Sequence, residues 1–279
     1  MNADAGRQQG VALILVIWAV ALLAAIAVVI APDGRATRQI AVNLEKAAQA
    51  KALAEGGLWW GIARLQDTNP ATALRVDGHV YAVPLAGETV RVVVEDESGK
   101  IDINHVAAPM LDALLRNCGL GENEAQAMTA AVLDHRRRHS ERGGALHAAA
   151  FPSTLDLRPV TGMSYELYAC LEPALTVHSG SAGIDPRTAP SAVLLAIPGF
   201  TAQAVQQYLN QRAFGLTEGA ALAELTGASL AAAYLVRSPV RIVKVRSMVQ
   251  LKDGGAYEGR AVVELRRNRV PAVFLHDWN

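Results

Sequence analysis

Few residues of this chain stand in patterns that do chemistry. Cys118 and Cys170 are the only two thiols. In an oxidising compartment they can pair, and closing a loop of that length stabilises by up to about 4 kcal/mol on the chain-entropy account. Two unpaired buried thiols are the alternative. His135 and His139 stand four apart, with His147 nearby. Such a pair on one helix face can hold a metal. Arg136, Arg137 and Arg138 lie between them and repel a cation, which favours a solvated helix end. Glu95, Asp96, Glu97 and Asp102 form an acidic cluster that could serve as a calcium corner or be a solvated turn. Gly143-Gly144, Gly254-Gly255 and Ser179-Gly180-Ser181 lack the flanks of a phosphate loop or a serine elbow. There is no nucleophile motif, so the chain is not read as an enzyme, and no catalytic, cofactor-binding or metal residue is assigned.

The other chemically pointed position is Gly10-Val11. Val11 to Ala31 is an apolar run of 21 residues without charge, Pro or Gly. As a helix it is long enough to cross the roughly 30 Å core of a bilayer. Only Met1 to Gln9, polar or small, precede Gly10. A secretory signal has a shorter apolar core and a small-residue cleavage site after it. The sharper reading is a prepilin-type leader, cut after Gly10 so that the apolar helix stays in place. An ordinary signal anchor and an uncleaved signal peptide are the competing readings. Arg7 before the run, against Arg35 and Arg38 after it, mildly opposes export of the C-terminal part. Large downstream domains translocate largely regardless of such counts.

These positions must be held by a sizeable soluble part. The chain has 279 residues and zero formal net charge, which gives no electrostatic footprint for nucleic acid. From Ala36 to Asp67 apolar residues (Ile40, Leu44, Ala47, Ala48, Leu58, Ile62, Leu65) recur at helical steps. The pattern predicts an amphipathic stem after a break at Pro32, loosened at Gly56-Gly57. Val80–Val83 and Thr89–Glu95 alternate as strands around a Pro84–Gly87 turn. Val243–Leu251 and Tyr257–Leu265 alternate around Lys252-Asp253-Gly254-Gly255, a hairpin, and Val273–Leu275 can add a last strand. A single hairpin is marginal alone, so the two distant strand groups are expected to share one sheet packed on the stem.

Between them the pattern is helical. Ile103-Asn104-His105-Val106-Ala107-Ala108-Pro109 lines up with Ile184-Asp185-Pro186-Arg187-Thr188-Ala189-Pro190. A helix, a glycine turn (Cys118-Gly119-Leu120-Gly121; Pro198-Gly199-Phe200) and a second helix follow each. The second unit resembles a helix-hairpin-helix, whose turn amides can meet DNA phosphates. Thr201 occupies its second glycine position, and Glu122 and Glu124 follow the first turn. A packing module is therefore favoured over DNA binding.

In this order the pieces resemble the general secretion pathway protein K family, the large minor pseudopilins of the type II secretion system. The pieces are Gln9-Gly10-Val11-Ala12-Leu13, then Glu95-Asp96-Glu97-Ser98-Gly99-Lys100-Ile101-Asp102-Ile103-Asn104, then Thr188-Ala189-Pro190 with Ala196-Ile197-Pro198-Gly199, then the closing hairpin. The resemblance implies an α+β fold. A pilin-like N-terminal transmembrane helix and stem would pack on an antiparallel sheet that is interrupted by a large helix-hairpin-helix (SAM-like) domain. The corresponding divisions are a leader 1–10, a transmembrane helix 11–31, a stem with first strands 32–103, an inserted helical domain 104–237 and closing strands 238–279. The resemblance further implies cleavage between Gly10 and Val11 and N-methylation of Val11 by the prepilin peptidase. It implies a single-pass anchor in the bacterial inner membrane with the C-terminal part in the periplasm, and a place at the pseudopilus tip beside minor pseudopilins I and J. The protein would then promote pseudopilus assembly and the export of folded proteins across the outer membrane, and would not form a homopolymer. Leu15 stands at the fifth position after Gly10, where pilin-like subunits usually place Glu, and a carboxylate in lipid persists only for a purpose. Some family members bind calcium. Here the corresponding stretch is Asp134-His135-Arg136-Arg137-Arg138-His139-Ser140-Glu141, so calcium is not carried over. A reading of a different class is a membrane-anchored, DNA-binding receptor of the competence type that uses the helix-hairpin-helix units.

Overall fold

The computed structural model describes residues 5–67, 69, 72–142, 149–214, 231–237, 241–266 and 271–278; within its helices and strands, the side chains of 5–11, 27–35, 140–142 and 241 fall outside the description. The chain opens on one helix, α1 (Ala5–Leu65). It runs without interruption through Pro32-Asp33-Gly34, where the sequence predicted a break. An internal proline removes one hydrogen bond and crowds one carbonyl, at a cost of about 3 kcal/mol, and α1 continues through it nonetheless.

The second half of α1 is the stem. Ala50, Ala54, Leu58 and Ile62, four residues apart, form a ridge that is buried along its length and ends at Leu65. Ile40 and Leu44, expected on the same buried face, are instead 60% and 65% exposed. The sheet ends before it reaches them. Its last contact is the turn at Asp253, whose carboxylate lies 3.5 Å from Lys46. Gly56-Gly57 does not loosen the helix. Gly57 and Gly61 are the positions of closest approach, where a methyl group would lie 2.2 Å from Ser247 Oγ and 2.9 Å from Val245 Cγ1.

The sheet under α1 has five strands, β1 (Asp77–Leu85), β2 (Glu88–Asp96), β5 (Arg241–Gln250), β6 (Ala256–Leu265) and β7 (Val273–Trp278), all antiparallel in that spatial order. The two strand groups therefore join at β2 and β5, as expected from the marginal stability of a lone hairpin. Val90, Val92 and Val94 pair with Val249, Ser247 and Val245 and face α1. The β1–β2 turn is Ala86-Gly87, both at positive φ, a two-residue hairpin turn of the primed type. Pro84, expected in the turn, lies inside β1 opposite Thr89. That is compatible because β1 is an edge strand, where a missing N–H breaks no ladder.

A second hydrophobic core lies between β2 and β5 in the chain. Its helices are α2 (Ala108–Asn117), α3 (Glu122–Arg142), α4 (Tyr165–Leu171), α5 (Ser191–Leu195) and α6 (Ala202–Ala213). A two-strand parallel pair, β3 (Ile101–Asp102) with β4 (Leu175–Thr176), sits beside them. The internal repeat is real but its register differs from the sequence alignment. Asp102 and Asp185 are the equivalent residues. Asp102 Oδ1 accepts from the Asn104 amide at 2.9 Å, and Asp185 Oδ1 from the Arg187 amide at 3.0 Å. The main-chain oxygens of both accept from the residues three and four further on. α2 and α5 then begin after N-caps Ala107 and Pro190. The turns Gly119 and Gly199, both at positive φ, show that the second unit has lost three residues, one helical turn, from its first helix. A single alignment offset cannot follow that loss. In both units an arginine of the second helix bonds the carbonyl just before the N-cap: Arg136 to Val106 at 2.8 Å, Arg212 to Ala189 at 2.6 Å.

Candidate functional site

Two features stand out from ordinary packing. The first is a polar junction where the two cores meet. β2 runs directly into a single 3₁₀ turn, Glu97–Gly99, which Asp96 caps through its side chain to the Ser98 amide at 2.9 Å. Lys100 Nζ lies 2.8 Å from both Glu95 Oε2 and Glu97 Oε1, and the Lys100 and Glu97 side chains are only 5% and 1% exposed. Arg246 of β5 reaches Glu95 Oε1 at 2.7 Å. Burial alone would raise the Glu95 carboxyl, but the Lys100 ammonium and the Arg246 guanidinium outweigh it and hold the group below its ordinary value. For Lys100, burial alone would lower the ammonium. The Glu97 and Glu95 carboxylates reverse that and hold it above its ordinary value.

The same turn is tied to the second helical unit. The Asp185 amide donates to the Ser98 carbonyl at 2.8 Å. A methyl group on Gly99 would lie 2.6 Å from the Thr188 carbonyl carbon and 2.7 Å from the Ala189 nitrogen. Asp102, fully buried, accepts from the Asn104 and Gly180 amides and from Ser179 Oγ. The acidic cluster is thus a buried, ion-paired turn and not a solvated one. Lys100 is five residues past Glu95 in sequence, and its ammonium occupies the place between the carboxylates that a cation would take. Among the described residues no group of three or more His, Cys, Asp or Glu side chains is arranged to hold a metal.

His135 and His139 lie ring to ring at 6.3 Å, and His135 also stacks on the buried ring of Phe151 at 4.7 Å, while Arg137 and Arg138 between them stay exposed, so the helix end is packed at His135 and solvated at the arginines. His147 and Gly143-Gly144 lie outside the described residues. Cys118, at the C-cap of α2, and Cys170, in α4, form a disulfide with Cα atoms 5.9 Å apart. The turn amides that would meet a phosphate are engaged within the chain. Gly121 N–H donates to Glu124 Oε2 at 3.2 Å, and Ala204 N–H to the Thr201 side chain at 3.2 Å.

The second feature is the front of α1. Leu13, Ile14, Leu15, Val16, Ile17, Trp18, Val20, Leu22, Leu23 and Ile26 are between 46% and 72% exposed. This is a continuous apolar surface of a kind that monomeric soluble proteins rarely leave bare. Among the described residues no helix is long and apolar enough to cross a membrane. The expected span 11–31 runs into residues 27–35, whose side chains are not described. Gly10 and Val11 lie within α1 near its start.

No protein-family model matches the sequence, and no curated protein matches it. Among solved structures, the chain superposes on one from the GspK–GspI–GspJ complex of the enterotoxigenic Escherichia coli type 2 secretion system. The match has a TM-score of 0.50 at 15% identity and covers 88% of this chain and 98% of that one. The fold is GspK-like. At this identity the likeness is one of fold, and it agrees with the family that the ordered sequence pieces resemble. The chain's own order of elements gives the turn 95–100 a role that sequence reasoning did not see. The salt-bridged turn 95–100 read as an isolated acidic cluster, whereas it is the point where the sheet's second strand leaves for the helical core. The signal was Lys100, the one cation embedded in that run.

Proposed function

We propose that this protein is a minor pseudopilin of a type II secretion system, placed at the tip of a pseudopilus. There it promotes pseudopilus assembly and the export of folded proteins across the outer membrane. The observation that carries the reading is the front of α1, an apolar helix that leaves the sheet near Lys46 and stays exposed among the described residues. Such a surface needs lipid, neighbouring helices or both. The GspK-like fold supports the same reading, because the matched chain comes from a complex with GspI and GspJ. Minor pseudopilins I and J are the proposed partners. The prepilin peptidase is proposed to cut between Gly10 and Val11 and to N-methylate Val11. The anchor would be a single pass in the inner membrane, with the rest of the chain in the periplasm, a compartment in which the Cys118–Cys170 bridge persists.

Leu15 gives the reading its direction. A subunit without the usual intramembrane carboxylate has nothing to offer the free amine of a subunit stacked on it, and the helical core adds bulk that such a subunit would have to clear. The chain would therefore cap a filament and not repeat along it. The test is to co-express the full chain with minor pseudopilins I and J and the peptidase, then determine the mature N-terminus and the position of a label on isolated pseudopili. The expected result is a chain that begins at methylated Val11, copurifies with both partners and labels one end. An intact Met1 in the presence of active peptidase would overturn the processing. Label spaced along the filament would overturn the cap.

A further inference from the structure

The two cores meet at a second place, apart from the turn at 97–99. His178 follows β4 and is set by a fixed turn: its amide donates to Thr176 Oγ1 at 3.1 Å, and the next residues, Ser179 and Gly180, are bonded to buried Asp102. It belongs to the helical core. His276 belongs to the outermost strand of the sheet, β7, where its Nε2 lies 3.2 Å from Glu264 Oε2 on β6. The two imidazoles lie with ring centroids 5.7 Å apart and planes tilted by 46°. One ring thus comes from each core, and one of them stands on a strand that, among the described residues, has a neighbour on a single side.

We propose that the His178–His276 pair is an acid-released clasp between the helical core and the edge strand β7. With both rings neutral they pack as two flat, weakly polar groups. A proton on His178 places charge on a buried ring whose packed partner lies 5.7 Å away and beside the Lys244 ammonium, which disfavours the contact. The groups that face the pair come from each neighbouring element. Glu97 of the 3₁₀ turn and Asp277 of β7 favour a charged His178, while Lys244 of β5 and His276 itself oppose it. Burial is the largest influence on His178 and leaves its ring below the ordinary histidine value, so the neutral form is the one the fold favours. Glu264, which faces His276, is already shared with the Arg266 guanidinium at 3.0 and 2.9 Å. The sign follows from the depressed value. The unfolded chain binds the proton first, so the contact contributes fully above about pH 6.5 and is lost as pH falls through the lower, folded value. β7 is the element that yields, because among the described residues its outer side is unpaired in the sheet and Phe274 to Trp278 are exposed.

The test is amide hydrogen exchange of the full chain in detergent micelles at pH 7.5 and 5.0. Protection of Phe274–Trp278, corrected for intrinsic rates, is compared with Val243–Val249 of the central strand in the same sample. The expected result is about a tenfold loss of relative protection in β7 on acidification. That loss should be absent in His178→Phe and in His178→Gln, whose side chains do not titrate. An unchanged ratio in the wild-type chain would overturn the clasp, as would an equal acid-induced loss in both variants. Failure of both variants to fold would overturn it as well, since a contact that opens in acid is one the fold can do without.

Discussion

Gly56 and Gly57 are adjacent in one helix, and the structure requires opposite responses from them. Glycine in a helix interior costs roughly 0.5–1 kcal/mol relative to alanine. A methyl group on Gly56 would find only Leu85 Cδ1, at the ordinary contact distance of 3.5 Å. Gly56→Ala should therefore stabilise by about that amount. On Gly57 the same methyl would lie 2.2 Å from Ser247 Oγ and 2.7 Å from Val90 Cγ1. Ser247 is fully buried and Val90 is branched and fully buried, so neither can swing clear and the helix must lift from the sheet. Overpacking of this kind costs about 1–3 kcal/mol, which outweighs the propensity gain. The propensity gain is common to both, so the two neighbouring substitutions should differ by roughly 1–3 kcal/mol, or about 2–10 °C in melting temperature for a chain of this size. Thermal and urea unfolding in detergent, followed by tryptophan fluorescence and circular dichroism, measures the difference. Ser247→Gly should recover part of the Gly57→Ala loss in a double-mutant cycle, because it removes the nearest obstructing atom. Equal stabilisation by both alanines would refute the close seam between α1 and the sheet.

The remaining predictions concern the junction and the bridge. Lys100→Met should cost about 3–5 kcal/mol by leaving the buried Glu97 carboxylate unpaired, read from urea midpoints at pH 7. The wild-type junction should be stable on a plateau with two edges. The Glu95 contribution is present above its ordinary value of 4.5 and falls away as pH drops through its depressed folded value. That of Lys100 is present below 10.5 and falls away as pH rises through its raised one. A stability profile without the acid edge, or one unaltered in Lys100→Met, would contradict the ion network. Cys118→Ser should cost about 2–5 kcal/mol. Both native thiols should resist labelling without reductant, and reaction of both in the native chain would contradict the bridge.

Much of the fold was legible because period carries it. Valines two apart at Val90, Val92 and Val94 and again at Val243 and Val245 announced one buried sheet face, and the sheet joins them as the pattern required. Distance of approach was not legible. Gly56-Gly57 read as weakness in a helix because nothing local reveals that Gly57 lies against Ser247 and Val90. The end of the stem's buried face was missed for a related reason. Ile40 and Leu44 keep helical spacing with Leu58, yet where a helix outruns its sheet is set by strand length elsewhere in the chain. The acidic cluster at Glu95 to Asp102 was visible as composition but not as a site. Its meaning rests on Arg246 and Asp185, which are brought there only by folding. The repeat was seen with its register blurred, because a lost helical turn moves the alignment midway through the unit.

The long first helix also makes this protein a lever. At about 1.5 Å per residue, the 61 residues of α1 reach roughly 90 Å, and the sheet grips only the rear part. A force applied to the free front is carried along the shaft to the seam at Gly57 and Gly61, where backbone meets strand with no long side chain between to give way. From β2 it passes straight along the chain into the turn at Glu97–Gly99, and from there through the Ser98–Asp185 bond to the helical core. The covalent bridge at Cys118–Cys170 lies beyond that point, so it stiffens the load rather than the shaft. Thrust delivered at one end thus arrives at the other as displacement of the whole helical core, with the ion-paired turn as the joint that must hold.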